Sequence, residues 1–300
     1  MLDKVLENLC VQSGKVYVDA TFGNGGYSCG ILEKADCKLF AIDRDPIVLP
    51  RADELEQKYQ NRFSFKSGQF SNLENLIGQK VDGIVFDIGV SSMQLDDAIR
   101  GFSFSKEAKL DMRMSQAGLS AYDIINTYEE KDIADILYLF GEEKKSRQIA
   151  KKIVEYRGQK PIETTTELAQ IIYTVIHKKT GEIDPATRSF QALRIAVNDE
   201  LTELEKGLKA ATNLLKPEGR IVVVDFHSLE DRIVKNFFKD NSNPKVHLSR
   251  YSEKKEEQSD KAFSYVSKAI LPDDAEIKSN PRSRSAKLRF AVKNKGVSNV

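Results

Sequence analysis

The stretch Val16-Tyr17-Val18-Asp19-Ala20-Thr21-Phe22-Gly23-Asn24-Gly25-Gly26-Tyr27-Ser28 constrains everything around it. A short apolar run ends in an acid and passes into a turn carrying three glycines. Cys29-Gly30-Ile31-Leu32-Glu33-Lys34 can then start a helix. Strand, glycine turn and helix in that order make a nucleotide-binding unit, because glycine lets bare backbone approach a ligand closely. A second apolar run, Lys38-Leu39-Phe40-Ala41-Ile42-Asp43, also ends in an acid. Asp43 lies 20 residues beyond Gly23, where such folds put the carboxylate that binds ribose hydroxyls.

The chain alternates strand and helix up to its first third. Residues 1–12 read as a helix with Val5, Leu6 and Leu9 on one face. Strands are expected at 16–20, 38–43, 63–66 and 84–88, with a helix from Pro46 to Tyr59. Ile84-Val85-Phe86-Asp87-Ile88 is nearly all apolar, the mark of a strand buried on both faces. This alternation predicts a doubly wound parallel α/β sheet. From Ala121 to Leu215 the periodicity turns helical, over Tyr122–Tyr128, Ile133–Phe140, Ser146–Tyr156 and Thr166–His177. Asp184 and Pro185 open one long helix running towards Leu215. Ile221–Phe226 restores the sheet, so the helical block reads as an insertion; later strands are expected at 245–249, 263–269 and 286–292.

Composition excludes several classes. Three hundred residues suit one large domain or two modest ones, and 40% hydrophobic residues can build a core. Cys10, Cys29 and Cys37 are too few and wrongly spaced for a disulfide framework or a zinc site, and no other ligand cluster asks for a metal. They fit a reducing compartment. The start is too charged for a signal peptide, and no apolar run approaches the roughly 20 residues of a membrane span. A cytoplasmic protein with no membrane partner follows. The net charge of +1 says little as a sum, but residues 278–300 carry seven Lys and Arg and no acid. Such a tail is either a solvated end or a phosphate contact.

The glycine turn alone does not decide the ligand. Gly23, Gly25 and Gly26 depart from the dinucleotide fingerprint, and a plain tight connection stays open. Asp19 beside the turn would repel a pyrophosphate but suits the ammonium of S-adenosylmethionine, which favours that cofactor over NAD. Asp87-Ile88-Gly89-Val90-Ser91-Ser92 sits at the carboxyl end of the fourth strand, where open sheets bind ligands. Arg100-Gly101-Phe102-Ser103-Phe104 and Leu110-Asp111-Met112-Arg113-Met114 mix arginine with aromatics, as a nucleic-acid loop or a hydrophobic lid would. Asp111 can also simply pair with Arg113. His227, in Phe226-His227-Ser228-Leu229-Glu230-Asp231-Arg232, is catalytic or structural. Lys144, Lys145, Arg147, Lys151, Lys152 and Arg157 make one helix basic, as a solvated face or a phosphate track.

Taken together the segments resemble the bacterial small-subunit ribosomal RNA cytosine-N4 methyltransferase (RsmH/MraW) family. The motifs that carry the resemblance are DATFGNGG, DIGVSS-MQLDD, RGFSF, LDMRM, PATRSFQALRIAVNDEL, FHSLEDR and NPRSRSAKLR, spread along nearly the whole chain. The resemblance implies a class I, Rossmann-like methyltransferase fold. Residues 1–105 and 212–300 would form the methyltransferase domain, and 106–211 an inserted helical domain for RNA-substrate recognition. It implies S-adenosylmethionine as donor and the N4 amino group of one decoding-region cytidine of 16S ribosomal RNA, in the small ribosomal subunit, as acceptor. Carried over, the cofactor contacts are Gly25, Gly26, Tyr27, Asp43, Phe70, Asp87 and Gln94. Tyr27 stands where the family usually has His, Met93 where it has Pro, and Gln69 where it has Asn. The D/N/S-P-P-Y/F/W loop of DNA amino-methyltransferases is absent. The N4 proton would instead go to the Gly89–Ser92 segment, with Asp111 or His227 nearby as catalytic residues. An NAD-dependent oxidoreductase and a non-catalytic RNA-binding assembly factor stay open as alternatives, and so does the oligomeric state, a dimer included.

Overall fold

A computed structural model describes residues 1–177, 181, 183–242 and 261–295. The chain divides into two compact units, Met1–Gly89 with Leu201–Val300, and Val90–Glu200. In the first, helix α1 (Leu2–Leu9) buries Val5 and Leu9. The glycine turn leads from β1 (Val16–Asp19) into α2 (Gly26–Lys34). After β2 (Lys38–Asp43) the Asp45 side chain caps a 3-10 turn at Pro46–Val48, and α3 (Leu49–Tyr59) follows. The first half closes with β3 (Phe63–Ser67), α4 (Leu73–Ile77) and β4 (Val81–Asp87).

The second unit is helical. It holds α5 (Ser92–Asp96), α6 (Ala121–Thr127), α7 (Glu130–Gly141), α8 (Ser146–Arg157), α9 (Thr165–Val175) and α10 (Ala186–Asn198). The N-cap of α10 is Pro185 rather than Asp184, whose Oδ1 accepts from the Ala186 N–H at 3.0 Å. The apolar faces of α6 to α10 meet in one core that includes Ile124, Leu137, Ile149, Leu168 and Leu193. Phe102, Leu110, Met112 and Met114 belong to that same core. The unit therefore begins at Val90 rather than at 106, because the Arg100–Met114 loop packs its apolar side chains among the inserted helices.

The single long helix expected from Pro185 to Leu215 is two. It breaks at Asp199, whose φ of 49° is left-handed, and restarts as α11 (Glu200–Leu214). Aspartate tolerates that conformation better than most residues. Leu204, Leu208 and Ala211 of α11 sit in the core of the sheet, which moves the second boundary from 211 back to Glu200. Then come β5 (Leu215–Asp225), α12 (Ser228–Asp240), β6 (Phe263–Val266), α13 (Asp274–Ser279) and β7 (Lys287–Lys293). The strand expected at 245–249 lies outside the described residues.

The sheet has the order β3-β2-β1-β4-β5-β7-β6. The first five of these pair in parallel, while β7 runs antiparallel to β5 and β6 antiparallel to β7. Val85, Phe86, Val222 and Val223 are all fully buried, as expected of central strands covered on both faces. All the parallel strands end at one edge, and that edge carries the polar residues considered next.

Candidate active site

Four of those strands end in aspartate: Asp19 on β1, Asp43 on β2, Asp87 on β4 and Asp225 on β5. The environment of each decides what it can do. Asp19 is fully buried. Its Oδ2 accepts from Ser28 Oγ at 2.7 Å and its Oδ1 from the Thr21 N–H at 3.3 Å, stapling the strand end to the first turn of α2. Burial pushes its carboxyl up to about 6 although these bonds oppose the rise. Each Asp19 oxygen thus already accepts a bond from the chain itself. Asp43 is half-buried and ties β2 to the glycine turn, its Oδ2 accepting from the Gly23 N–H at 2.8 Å and its Oδ1 from the Asp45 N–H at 2.9 Å. Burial raises it above the usual carboxylate range.

The turn itself is built for close approach. Gly25 is the N-cap of α2 at φ 75°, and a Cβ there would lie 3.0 Å from the Phe22 ring. A Cβ at Gly26 would meet open space. No side chain caps α2 at this end, and the Ser28 N–H in its first turn serves the buried Asp19 carboxylate. Tyr27 follows, its phenol pushed well up by burial and its hydroxyl hydrogen-bonded to Asp87. Phe70 stands edge-on to Phe86 with ring centroids 5.5 Å apart. It also lies over Gly207 of α11, where a Cβ would come within 2.5 Å of the ring.

Asp87 donates its N–H to Thr21 Oγ1 at 2.6 Å, joining the ends of β4 and β1. Burial, and then the Asp19 carboxylate, push its carboxyl up to about 7. Its Oδ1 is buried with no partner among the described residues. Asp225 is fully buried and neither of its oxygens has a partner among those residues. Burial, followed by the Asp231 and Glu230 carboxylates, pushes it up to about 8. The sequence reading passed over Asp225, yet it ends an apolar run in the same way as Asp19, Asp43 and Asp87. It likewise missed that Thr21, Ser28 and Tyr27 serve these carboxylates.

His227 is the N-cap of α12. Its Nδ1 accepts from the Glu230 N–H at 3.4 Å and its Nε2 lies 3.0 Å from Glu230 Oε1. Glu230 Oε2 accepts from the N–H groups of Phe226 and His227 at 3.0 and 3.3 Å. Both ring nitrogens therefore face the first turn of the helix they cap. The basic tail is partly committed too: Lys287 and Arg289 pair with Asp231 at 2.9 and 2.7 Å, and Lys293 donates to the Thr212 carbonyl.

The remaining sequence-derived site residues lie in the helical unit. Gln94 is buried in a capping box: its Oε1 accepts from the Ser91 N–H at 3.0 Å while Ser91 Oγ accepts from the Gln94 N–H at 3.2 Å. Asp111 accepts from Arg113 Nε at 3.0 Å and Nη2 at 2.7 Å. Burial pushes its carboxyl up, but the Arg113 guanidinium outweighs that and holds it below the usual range. Around this pair the loop is tightly held. Arg100 donates to the Arg113 and Met114 carbonyls, and a Cβ on Gly101 would lie 2.3 Å from the Lys109 carbonyl oxygen. On the basic helix, Lys151 and Lys152 pair with Glu155 and Arg157 donates to the Ile125 and Tyr128 carbonyls. Lys144 and Arg147 are exposed and form no ion pair among the described residues.

The chain is 52% identical over 298 residues to "Ribosomal RNA small subunit methyltransferase H" of Rickettsia bellii (strain OSU 85-389), covering 98% of this chain and 97% of the relative. The protein of the same name from Rickettsia canadensis (strain McKiel) is 52% identical over 97% of this chain and 96% of its own length. A solved rRNA methylase from Streptococcus thermophilus is 10% identical, with a TM-score of 0.40 over 97% of this chain and 93% of that one. The MraW methylase family pattern matches residues 1–294, and the chain belongs to that family.

Proposed function

We propose that this protein transfers a methyl group from S-adenosylmethionine to the N4 amino group of one cytidine in the decoding region of 16S ribosomal RNA, acting on the small ribosomal subunit in the cytoplasm. The observation that carries the reading is the end-to-end likeness, at 52% identity, to small-subunit ribosomal RNA methyltransferases. Among the described residues no helix is long and apolar enough to cross a membrane.

The residues at the sheet edge suit the cofactor. When bound, S-adenosylmethionine supplies an electrophilic methyl group on sulfur. Gly25 and Gly26 admit a ligand to the backbone of the turn, and Tyr27, Asp43, Phe70 and Asp87 would complete its contacts there. Asp43 already holds the glycine turn in place through Gly23, so the side chain offered to the ribose also shapes the turn beside it. The Phe70 ring is fixed by Phe86 and offers the adenine an ordered apolar wall. Catalysis then asks for alignment of the N4 lone pair with the methyl carbon, an effect of positioning, and for an unstacked base. The helical unit would present the RNA, with Lys144 and Arg147 as phosphate contacts.

Mass mapping of ribosomal RNA from cells lacking the protein tests this reading. Loss of N4-methylation at a single cytidine, restored by the wild-type gene, is expected; an unchanged map refutes it. Calorimetry with S-adenosylhomocysteine and with NAD separates the reading from an oxidoreductase, since only the first should bind.

A further inference from the structure

An N4 amino group that gains a methyl must shed a proton. Asp111 is committed to Arg113, and both ring nitrogens of His227 face the first turn of α12. Asp87 is differently placed. It closes β4 at the edge where open α/β sheets receive ligands. Its main chain is pinned: its N–H donates to Thr21 Oγ1 at 2.6 Å, and the following N–H donates to the Val224 carbonyl at 2.9 Å. The Tyr27 hydroxyl donates to the carboxylate. Oδ1 of that carboxylate is buried and has no partner among the described residues. A buried carboxylate oxygen without a donor calls for an explanation, and a ligand N–H is the simplest one.

We propose, resting on the function proposed above, that Asp87 is a catalytic residue whose Oδ1 accepts the N4 amino proton, with Tyr27 as its positioning residue. The family likeness makes Asp87 a cofactor contact; the inference gives its open oxygen to the acceptor base. The step balances. The N4–methyl bond forms as the methyl–sulfur bond breaks, and the electrons of the broken bond stay on sulfur. The positive charge left on N4 is relieved as its proton passes to Oδ1. The carboxylic acid releases that proton to water before the next turnover.

The groups facing Asp87 are Asp19 from β1, Glu230 from α12, Tyr27 from α2 and the Met1 amino group. Burial and the Asp19 carboxylate raise Asp87 to about 7, while the amino group and the Tyr27 hydroxyl oppose the rise. An acceptor in that range is ionised in good part at neutral pH and still basic enough to take a proton.

Single-turnover methyl transfer to small ribosomal subunits, measured against pH, tests the proposal. For the wild type the rate should climb with pH to a plateau, with a midpoint near 7. Asp87→Asn should lower the plateau by about 10²- to 10⁴-fold and flatten the profile, a loss far larger than any change in its affinity for S-adenosylhomocysteine read by calorimetry. Tyr27→Phe removes a bond that favours the carboxylate, so the midpoint should move to higher pH. Infrared titration of the free protein should show the same displacement without any turnover. A profile and rate unchanged in Asp87→Asn, or a loss of cofactor affinity matching the loss of rate, overturns the proposal. Should Asp87→Asn fail to fold, the Tyr27→Phe midpoint decides alone. A wild type that transfers no methyl group to subunits overturns the function itself, a different result from any of these.

Discussion

Asp87 and Asp225 at the sheet edge and Asp111 in the helical unit are the same residue under opposite rules. Each is removed from bulk water to some degree. At the sheet edge no cation among the described residues bonds the carboxylate directly, and burial drives Asp87 to about 7 and Asp225 to about 8. In the helical unit a guanidinium two residues away supplies two donors, and Asp111 falls below the usual range in spite of its burial. The difference separates two kinds of acid. One holds a proton near neutrality and can exchange it; the other is a fixed anion that orders a loop. Proton chemistry belongs with the first kind, loop architecture with the second.

The largest effect should come from Asp225, and it can break the comparison outright. Its carboxyl is about 8 in the folded protein against a normal value of 3.8. Between those values the folded chain keeps a proton that the unfolded chain has lost, so stability falls as pH rises through the interval. Each pH unit costs about 1.4 kcal/mol from this one group, and the whole interval costs on the order of 5 kcal/mol. Asp225→Asn cannot titrate. Its stability relative to the wild type, from denaturant melts at a series of pH values, should therefore improve steadily from about pH 4 to pH 8. A constant gap would mean that the buried carboxylate is paired in solution, and the two classes of acid would collapse into one.

Much of this was legible in the residues. Alternating apolar runs gave the parallel strands, and the period change at Ala121 marked the insertion. The glycine turn and Asp43 stand at the sheet edge as their spacing required. What could not be read is contact between distant segments. Nothing in Arg100-Gly101-Phe102 says that the loop packs among helices, since that depends on Met114 and Asn198 meeting across 84 residues of chain. The break at Asp199 hides in a helical pattern because one left-handed residue leaves the apolar spacing on either side intact. The acids show the same limit. Asp111 and Arg113 are two apart, so their pairing is written in the sequence, whereas the burial of Asp87 and Asp225 is set by residues from several elements.

A smaller effect sharpens the comparison from the other side. Asn198 accepts from the Met114 N–H at 2.8 Å and donates to the Met112 carbonyl at 2.8 Å, holding the backbone on either side of Arg113. Asn198→Ala leaves two main-chain groups unpaired and should cost about 3 kcal/mol in denaturant melts. Asn198→Asp keeps the acceptor but turns a second oxygen towards the Met112 carbonyl, so it should rescue little. If the low value of Asp111 comes from its near neighbour alone, carboxyl titration by NMR should find it still depressed in Asn198→Ala. A rise to the normal aspartate range would show that the folded loop, not the neighbour, sets it.

The smallest expected effect is the one most specific to the division of labour. Asp111→Asn removes a half-buried ion pair whose partner can still donate to the Gly118 carbonyl at 3.1 Å. Such a pair contributes about 1 kcal/mol. Because the folded value of Asp111 is depressed, that contribution is present above the ordinary aspartate range and disappears as pH falls through the lowered value. The stability gap between Asp111→Asn and the wild type should therefore close in acid, opposite in direction to the gap for Asp225→Asn. Methyl transfer should change by less than about threefold, with the same dependence on pH. A loss of two orders of magnitude, together with a flattened pH profile, would make Asp111 the proton acceptor and remove that role from Asp87. A loss of rate with the profile intact would instead assign the Asp111–Arg113 pair to holding the loop that the substrate meets.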